Sequence, residues 1–391
     1  MDWSFLIRNK ESLHVTTDSR KVTSGSVFVA LKGEHFDGND FVEQAKADGA
    51  EYIICGENAL AELQDLARAW RRELGLPVLA ITGTNGKTTT KELTAAVLKT
   101  RYHLHYTQGN LNNQLGVPLT LLQMTRAHEM AIIEMGASHP GDIRELVEIA
   151  EPDYGLITNV GRAHLQGFGS FEGVMRTKAE LYDWLRTHGG FCFRNTDNPY
   201  LAQMAGDLKT VAYTTGKMPE GTHLVGAYNA ENVSAAVCVG KYFGISEEEA
   251  LAAIRAYVPS NNRSQFLQTE HNTVVVDAYN ANPTSMQAAI EAFSHPPSPV
   301  TDHPCYILGA MRELGDYSHL EHQNIVNMLL ERKADKVLLV GEEYKDTTAP
   351  YPVFDNVEAL CQYLEKEPLK GLHILLKGSR SNQLEKVIPL L

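Results

Sequence analysis

The sequence predicts an α/β protein built from three domains. Its 391 residues exceed the usual size of a single domain. Short apolar segments of strand character alternate with helical segments, a pattern that favours mostly parallel sheets flanked by helices. Two such series follow a smaller α/β unit. We therefore predict a small amino-terminal α/β domain at 1–75, a central parallel-sheet domain at 76–259 and a C-terminal Rossmann-like domain at 260–391.

Composition narrows the classes of protein and of partner. The formal net charge is −13 and the isoelectric point about 5.6, so the chain lacks the basic balance of a duplex nucleic-acid binder. The five cysteines are scattered without a Cys-x-x-Cys pair, which indicates reduced thiols of a cytosolic protein. No signal peptide is visible, and no apolar run approaches the ~18 residues that span a bilayer. We expect a cytoplasmic protein without membrane insertion.

The first domain contains an Asp-Ser-Arg segment at 18–20. A strand at 25–31, a polar glycine loop at 33–41, a helix at 42–47 and a strand at 52–54 form its predicted α/β unit. The Ser19 hydroxyl and the Arg20 guanidinium could bind an anion at a strand start. A surface turn with an ordinary salt bridge is the alternative, and the segment alone favours it.

The chain is organised around the stretch 81–89, which contains a glycine loop. It follows the apolar segment 76–80 and precedes the helix-forming segment 91–99, the context that a phosphate loop requires. Lys87 could reach the β- and γ-phosphates of a nucleotide, and the Thr88 hydroxyl could ligate Mg²⁺. The loop is shorter than the standard spacing, because Ile81 stands where a glycine would be expected. An ordinary glycine-rich turn is the alternative.

Two polar residues follow neighbouring strands of the central domain. Glu134 ends the strand at 130–133, and His164 follows the strand at 155–158. Since ligands of parallel sheets collect at the carboxyl ends of the strands, both should lie on the rim that carries the glycine loop. A carboxylate there suits Mg²⁺. A structural role for His164 is equally compatible with its position.

Lys178 interrupts an apolar helix face. In the predicted helix 172–187, it shares one face with Val174, Leu181 and Leu185. Its stem could lie along the core with the ammonium group in water. Alternatively, burial could depress the pKa of the amine, so that CO₂ converts the cation into an anionic carbamate.

Further polar side chains lie on a helix and after a strand. Asn229 and Asn232 could share a helix face and offer amides to a base, although helix capping explains them equally well. In the third domain, strands are predicted at 274–276, 306–308, 337–340 and 374–376. Asp277 and Asn280 follow the first of these strands, and Asn282 with Pro283 should begin the next helix.

The segment Thr-Gly-Thr-Asn-Gly-Lys-Thr-Thr-Thr-Lys-Glu at 82–92 resembles the Mur ligase superfamily. These are ATP-dependent amide-forming enzymes of peptidoglycan synthesis, related to folylpolyglutamate synthases. The resemblance extends over essentially the whole chain. The segments at 109–118, 277–285, 308–315 and 377–380 resemble the branch that adds D-alanyl-D-alanine to UDP-N-acetylmuramoyl-tripeptide.

The resemblance implies a role for each residue that matches a motif. The ATP phosphates would meet the loop residues Gly83, Thr84, Asn85, Gly86, Lys87, Thr88 and Thr89, together with Arg263 from the third domain. Adenine would meet Asn229 and Asn232 with Tyr228 as a stacking partner, and the ribose would meet Asp277. Two Mg²⁺ ions would be held by Thr88, Glu134, His164 and a carbamylated Lys178. Substrates would be bound by Ser19 and Arg20 (UDP-sugar) and by Asn280 and Asn282 (dipeptide), with Asn113 near the reacting phosphate.

The resemblance also implies a reaction. The tripeptide carboxylate would take the γ-phosphoryl group of ATP, and the amine of D-alanyl-D-alanine would then displace phosphate from the acyl phosphate. A cytoplasmic monomer is the simplest expectation. Two alternatives remain: a ligase of the superfamily with another acceptor, such as a folate polyglutamylating enzyme, and a module that holds nucleotide without ligating.

Three features depart from the family pattern. The segments at 55–62 and 213–226 are short. Ala310 stands where the family usually has an aspartate, which puts a role for that side chain in doubt. Asn262 replaces the usual glycine before Arg263, a mild change if the position needs a positive φ angle, because asparagine tolerates that conformation.

Overall fold

The structure, a computed structural model, describes residues 2–226, 228–259, 262–294 and 303–391. Two compact units make up the chain: Met1–Gly83 with Leu98–Thr158 and Arg176–Tyr213, and Thr84–Val97 with Asn159–Met175 and Thr214–Leu391. The predicted boundary between 259 and 260 adjoins residues 260 and 261, which lie outside the described residues. The three predicted domain ranges stay predictions.

Strands and helices alternate through the described ranges. The strands are β1 Val15–Thr16, β2 Val27–Val29, β3 Tyr52–Ile54, β4 Val78–Thr82, β5 Leu104–Tyr106, β6 Met130–Glu134, β7 Tyr154–Ile157, β8 Phe191–Asn195, β9 Thr210–Tyr213, β10 Gln265–Gln268, β11 Thr273–Asp277, β12 Pro304–Gly309, β13 Lys336–Val340, β14 Val353–Phe354 and β15 His373–Lys377. The helices are α1 Ser4–Ile7, α2 Val42–Ala47, α3 Ala59–Leu74, α4 Lys87–Leu98, α5 Gly116–Leu122, α6 Asp142–Ala150, α7 Leu165–Phe168, α8 Phe171–His188, α9 Pro199–Ala205, α10 Asn229–Tyr242, α11 Glu247–Ala256, α12 Pro283–Phe293, α13 Ser318–Glu331 and α14 Val357–Lys366. Within these ranges, no helix combines the length and the apolar composition that crossing a bilayer requires.

The first unit contains two parallel sheets. The smaller has the order β1-β2-β3, and the larger has the order β5-β6-β4-β7-β8-β9. Every residue of β4 and β6 is buried, as expected for apolar strands in the middle of a parallel sheet. The chain forms β6 on one side of β4 and β7 on the other, so the strand order reverses at β4. Ligands bind at the carboxyl end of such a strand, and β4 leads directly into Gly83.

The second unit contains a six-stranded sheet with the order β10-β11-β15-β12-β13-β14. β10 is antiparallel to β11, and all the other pairs are parallel. The pairing of β11 with β15 sets Asp277 opposite Lys377 at the carboxyl ends of both strands. This edge of the sheet is therefore polar and charged, although the strand interiors are apolar and buried.

Apolar patterning located about half of these elements. The predicted helix at 42–47 and the predicted strand at 52–54 coincide with α2 and β3, and the four strands predicted in the third domain lie inside β11, β12, β13 and β15. The sequence analysis did not identify β8 and β9 or the antiparallel edge strand β10. β10 has the sequence Gln-Phe-Leu-Gln and is only partly buried, so it carries little of the apolar signal that marks a central strand.

Three histidines of the first unit lie against one another. The rings of His103 and His128 stack with centroids 4.6 Å apart, and His105 meets His128 edge-on at 5.1 Å. His105 Nε2 donates a hydrogen bond of 2.8 Å to the Thr120 carbonyl oxygen. Burial, with a smaller contribution from His128, lowers the pKa of His105 to about 4. The folded protein therefore holds His105 neutral at pH values where a free histidine is charged.

This histidine cluster predicts acid sensitivity. Above pH ~6.5, His105 is neutral in the folded and unfolded chains. Below pH ~6.5, His105 of the unfolded chain binds a proton, whereas His105 of the folded chain binds one only near pH 4. The free energy of unfolding therefore falls as the pH drops from ~6.5 to about 4. We expect His105→Gln, which keeps a donor for Thr120, to lose about 2 kcal/mol less unfolding free energy than the wild type between pH 7 and pH 5.

Urea unfolding followed by circular dichroism at both pH values gives this difference. His35→Gln, which changes an exposed histidine of the same unit, is the matched control and should follow the wild type. Equal losses of stability in His105→Gln and the wild type would remove His105 as a source of the acid sensitivity.

Candidate active site

The glycine loop begins at a close backbone approach. In the first unit, Gly83 has φ +143°, and a Cβ built on it would lie 2.0 Å from the Thr158 hydroxyl oxygen. No side chain therefore fits at this point between β4 and the end of β7. Thr82 Oγ1 donates 2.8 Å to the Met135 carbonyl oxygen, which joins the ends of β4 and β6. The glycine holds the chain at the carboxyl edge of the sheet, where the sequence placed the loop.

The second glycine of the loop is confined by a side chain of the second unit. Gly86 has φ +78°, and a Cβ there would lie 2.3 Å from Asn232 Oδ1. That oxygen accepts a 2.9 Å hydrogen bond from Thr90 Oγ1 in α4. Gly86 directly precedes the first residue of α4, so backbone N–H groups and the positive end of the helix dipole meet at this turn. The loop has the shape and polarity of a phosphate cradle.

Asparagine side chains hold the rest of the loop. The Asn85 N–H donates to Asn159 Oδ1 at 3.0 Å, and Asn159 Nδ2 donates back to the Asn85 carbonyl oxygen at 3.2 Å. Asn282 Nδ2 donates 2.7 Å to Asn85 Oδ1. The Thr84 hydroxyl bonds with the backbone of Gly161. Asn282, predicted to bind the dipeptide, thus contacts the loop and also caps α12 as predicted.

The remaining loop residues include the cation and the hydroxyls. Lys87 Nζ donates 3.0 Å to the Thr84 carbonyl oxygen, so the ammonium group lies over its own loop. Thr88 is buried in the first turn of α4, and Thr89 is partly exposed. The loop thus contains one lysine and a buried hydroxyl, and their contacts with phosphate and Mg²⁺ stay predictions.

Glu134 is a buried carboxylate at the end of β6. It is 1% exposed, and its Oε1 accepts a 2.8 Å hydrogen bond from Asn112 Nδ2. The Glu134 N–H donates to Thr107 Oγ1 at 2.9 Å. Asn113, predicted to lie near the reacting phosphate, is exposed, and its side chain accepts from the N–H of Gly116 at the start of α5. The sequence analysis thus missed Asn112, the neighbour that contacts Glu134.

Lys178 lies on a buried helix face, as predicted. It is 2% exposed in α8, and Val174, Leu181 and Leu185 on the same face are buried as well. An aliphatic stem resting on the surface with its ammonium in water does not fit this burial. A buried amine costs less when it is neutral or modified than when it is charged.

His164 has an unusual backbone and a carboxylate partner. It has φ +50°, in the left-handed region, and precedes the short helix α7. Its ring nitrogen Nδ1 hydrogen bonds with the carboxylate of Glu313, which follows β12. Glu313 also has a left-handed conformation, with φ +62°. The sequence analysis missed this partner because the two residues are far apart in the chain.

The residues predicted to contact adenine hydrogen bond with one another and with nearby groups. Asn229 Nδ2 donates 2.7 Å to the Val225 carbonyl oxygen, and Asn232 Nδ2 donates 2.8 Å to Asn229 Oδ1. The Tyr228 hydroxyl pairs with Ser264 Oγ at 2.8 Å, and burial raises the pKa of Tyr228. These contacts fix the amides at the start of α10. Their role toward adenine stays a prediction.

Arg263 precedes β10, and Asp277 is the last residue of β11. The Arg263 guanidinium lies 3.9 Å from the centre of the Tyr279 ring. Asp277 Oδ2 accepts 2.5 Å from the buried Lys377 Nζ, a partner that the sequence analysis did not identify. Asn262 has φ +55°, which confirms why asparagine replaces glycine there. The roles of Arg263 toward phosphate and of Asp277 toward ribose stay predictions.

Two predicted substrate sites lie in local turns. Arg20 is exposed and pairs with Asp18 at 2.9 Å; its hydrogen bond lowers the pKa of Asp18 to about 2. Ser19 begins the short 3₁₀ turn Ser19–Lys21. Asn280 is exposed, and its side chain accepts from the N–H of Ala281. Both segments keep the local geometry of turns, and their substrate roles stay predictions.

Ala310 belongs to the core at the end of β12. It is completely buried, and a Cβ on Gly341 would lie 2.5 Å from the Ala310 Cβ atom. The Ala310 carbonyl oxygen accepts 2.8 Å from Asn382 Nδ2. The site therefore holds a small apolar side chain at the position where the family usually has aspartate.

The residues predicted to hold metal carry donor types that suit a hard divalent cation, and their role as ligands stays a prediction. Among the described residues, no group of three or more histidine, cysteine, aspartate or glutamate side chains forms a metal cluster by itself. The predicted ligands are instead a hydroxyl, a carboxylate and an imidazole, to which a carbamate would add oxygen atoms; oxygen donors suit Mg²⁺. Glu134 and Lys178 belong to the first unit, and Thr88 and His164 belong to the second.

The cradle at Gly86 yields a steric prediction. We expect Gly86→Ala to weaken nucleotide binding about tenfold or more, because its methyl group would displace Asn232 and break the Thr90 hydrogen bond. Titration with a fluorescent ADP analogue measures the loss.

Gly221→Ala is the matched control. Gly221 has φ +77°, almost the angle of Gly86, but the nearest atom to its added Cβ is 3.9 Å away. The control should therefore show the backbone strain without the clash and should bind nucleotide as the wild type does. Equal affinity in both variants would argue against the cradle.

Comparisons with known proteins cover nearly the whole chain. Three family models match: the Mur ligase family catalytic domain at 13–106, the Mur ligase middle domain at 81–218 and the Mur ligase glutamate ligase domain at 262–380. The UDP-N-acetylmuramoyl-tripeptide–D-alanyl-D-alanine ligase of Bacillus subtilis is 34% identical over 96% of this chain and 92% of its own length. The Escherichia coli ligase of the same name is 32% identical with the same coverage.

Solved structures agree with the sequence matches. The MurF ligase of Thermotoga maritima, determined in complex with ADP, has a TM-score of 0.87 at 27% identity and covers 98% of both chains. A MurF structure from Acinetobacter baumannii has a TM-score of 0.84 at 28% identity and covers 96% of this chain and 92% of its own. Because the similarity extends over almost all of both sequences and both folds, the chain belongs to the Mur ligase family.

Proposed function

We propose that this chain is an ATP-dependent ligase that joins D-alanyl-D-alanine to UDP-N-acetylmuramoyl-tripeptide in peptidoglycan precursor synthesis. The observation that carries the proposal is the match over 96% of the chain to relatives that bear this name. The geometry of the glycine loop supports it, because an ADP complex is known for a structural neighbour with the same fold. The product is UDP-N-acetylmuramoyl-pentapeptide.

The reaction takes two steps, phosphorylation of the tripeptide carboxylate and attack by the dipeptide amine. A carboxylate oxygen of the tripeptide attacks the γ-phosphorus of ATP. The bond between this phosphorus and the oxygen that bridges the β- and γ-phosphates breaks. ADP leaves, and the tripeptide carries an acyl phosphate. The free amine of the dipeptide then attacks the acyl carbon, and inorganic phosphate and one proton leave as the amide bond forms. Phosphorylation is needed because a carboxylate by itself is a poor acyl donor.

The residues of the chain supply the charge that the first step requires. Two anions must approach each other, so the N–H groups at the start of α4, Lys87 and Arg263 neutralise the phosphates. Bound Mg²⁺ would stabilise the same charge, with Thr88, Glu134 and His164 as its predicted ligands. Asn113 is assigned to the reacting phosphate. Holding both reactants in place is worth an effective molarity of about 10⁵–10⁸ M.

Lys178 is proposed to act as a carbamate. The neutral amine adds to CO₂ and releases one proton, which replaces a buried cation with a carboxylate-like anion. The 2% exposure of Lys178 supports this assignment, because a carbamate at this position would be shielded from bulk water. The anion would face the second Mg²⁺.

The remaining assignments follow the predicted domains. Residues 1–75 would bind the UDP-sugar through Ser19 and Arg20, residues 76–259 would bind ATP, and residues 260–391 would bind the dipeptide near Asn280 and Asn282. A cytoplasmic monomer suits a pathway whose substrates are water-soluble nucleotide conjugates. These assignments rest on the motif resemblance.

The proposed reaction predicts phosphate release that needs three substrates. Release should require Mg²⁺-ATP, UDP-N-acetylmuramoyl-tripeptide and D-alanyl-D-alanine together, because the acyl phosphate turns over only when an amine accepts the acyl group. A coupled phosphate assay with each component omitted in turn, with mass spectrometry of the product, measures this. Release that persists without the dipeptide would contradict the acceptor assignment, and running diaminopimelate and lysine tripeptides identifies the third residue.

The carbamate predicts a labelled adduct. ¹³C-bicarbonate should give a carbamate resonance in the wild type that disappears in Lys178→Ala, with kcat lowered about 10–100-fold as for loss of a group that supports a metal. Lys209→Ala, which changes an exposed lysine of the first unit, should keep both the resonance and the activity. Full activity in Lys178→Ala would end the carbamate proposal.

A further inference from the structure

We propose that Glu313 is a positioning residue for His164: its carboxylate binds Nδ1 of the imidazole and thereby directs Nε2 toward a divalent cation. The inference deepens the proposed function, because it rests on His164 as a ligand of Mg²⁺. Both residues belong to the second unit. The observation that carries it is the hydrogen bond between Glu313 and His164 Nδ1.

The backbone at both residues indicates more than a surface ion pair. His164 and Glu313 have φ +50° and φ +62°, a region that residues with side chains seldom occupy. The side chains are 31% and 56% exposed, and ion pairs as exposed as this stabilise a fold little. The strain at two positions is therefore not offset by the pair alone. Strained residues that meet in this way are typical of functional sites.

The turn that carries Glu313 is anchored from within. The Met311 N–H donates 3.0 Å to Nε2 of His322, and Nδ1 of His322 donates 2.7 Å to the Ser318 carbonyl oxygen. His322 is completely buried, and burial lowers its pKa, so the ring stays neutral with its proton on Nδ1. The Gln166 N–H also donates 3.3 Å to the Glu313 carbonyl oxygen. The carboxylate is thus presented from a fixed backbone.

The segment that carries His164 is anchored by the same helix. An Arg162 guanidinium nitrogen lies 3.3 Å from the buried carboxylate of Glu321, the residue before His322 in α13. The Arg162 N–H donates 3.1 Å to Thr284 Oγ1 at the start of α12. Two adjacent residues of α13, Glu321 and His322, therefore bind the two segments that carry His164 and Glu313. The contact between the two side chains is thus supported by the surrounding structure.

The chemistry of imidazole explains what this contact would do. A neutral imidazole has one protonated nitrogen, and a carboxylate at Nδ1 fixes the proton there and leaves the lone pair on Nε2. Carboxylates placed in this way orient metal-bound histidines and strengthen them as donors. Glu313 would therefore act on the cation through His164 and would not have to contact the cation itself.

Mn²⁺ binding to the full chain with ADP tests the proposal without turnover. Electron paramagnetic resonance of free Mn²⁺ gives the affinity directly. We expect Glu313→Gln to weaken Mn²⁺ binding about 10–100-fold. ADP binding measured without metal should keep the wild-type affinity, and Glu313→Asp should recover part of the Mn²⁺ affinity because it keeps the carboxylate. Thermal unfolding checks that each variant is folded.

Two comparisons separate positioning from other effects. Glu342→Gln removes an equal charge from an exposed acid of the same unit and should bind Mn²⁺ as the wild type does. The double variant Glu313→Gln/His164→Ala should bind no more weakly than His164→Ala, since Glu313 acts through His164. Unchanged Mn²⁺ affinity in Glu313→Gln, equal weakening in Glu342→Gln, or additive losses in the double variant would each overturn the proposal.

The experiment uses neither peptide substrate. A wrong acceptor assignment would therefore appear in the phosphate-release assay and leave the Mn²⁺ result intact, whereas a wrong role for Glu313 would appear only in the Mn²⁺ titration.

Discussion

Neutral amide side chains shape the glycine loop, and the proposed chemistry depends on this constraint. Asn159 and Asn282 bind Asn85, and Asn232 confines Gly86 and binds Thr90. An amide donates and accepts hydrogen bonds without carrying charge. These amides therefore hold the loop without placing a negative charge beside its lysine and its N–H groups. In a chain with a net charge of −13, carboxylates in these positions would have opposed the phosphates.

The sequence predicted the fold class because apolar periodicity marks buried strands. β4 and β11 are apolar runs ending at polar residues, and the structure places them inside parallel sheets. The edge strand β10 escaped prediction since half of its side chains are polar and none is fully buried. Such a strand is recognised by its pairing with β11, and the local sequence of β10 carries no signal of that pairing.

The candidate site was predicted as a set of residues but not as a set of contacts. Lys178 lies on a buried face because helical spacing is a local property that the sequence shows. Asn112, which the sequence analysis did not single out, donates to Glu134, whereas Asn113 accepts from the N–H of Gly116; only the folded loop decides which of the two neighbouring asparagines reaches the carboxylate. His322 in α13 and His164 before α7 also differ in surroundings that only the folded structure shows. His322 is enclosed with both ring nitrogens bonded, whereas the ring of His164 is partly exposed.

Asn262 has a consequence for the unfolded chain. Its left-handed conformation is one that glycine adopts without strain and asparagine with little. Glycine, however, explores more backbone conformations when the protein is unfolded, so a residue with a side chain at a compatible position loses less entropy on folding, an effect of about 0.4–1 kcal/mol. Asparagine in place of the usual family glycine before Arg263 therefore lowers the conformational entropy of the unfolded chain. The native backbone keeps its positive φ angle.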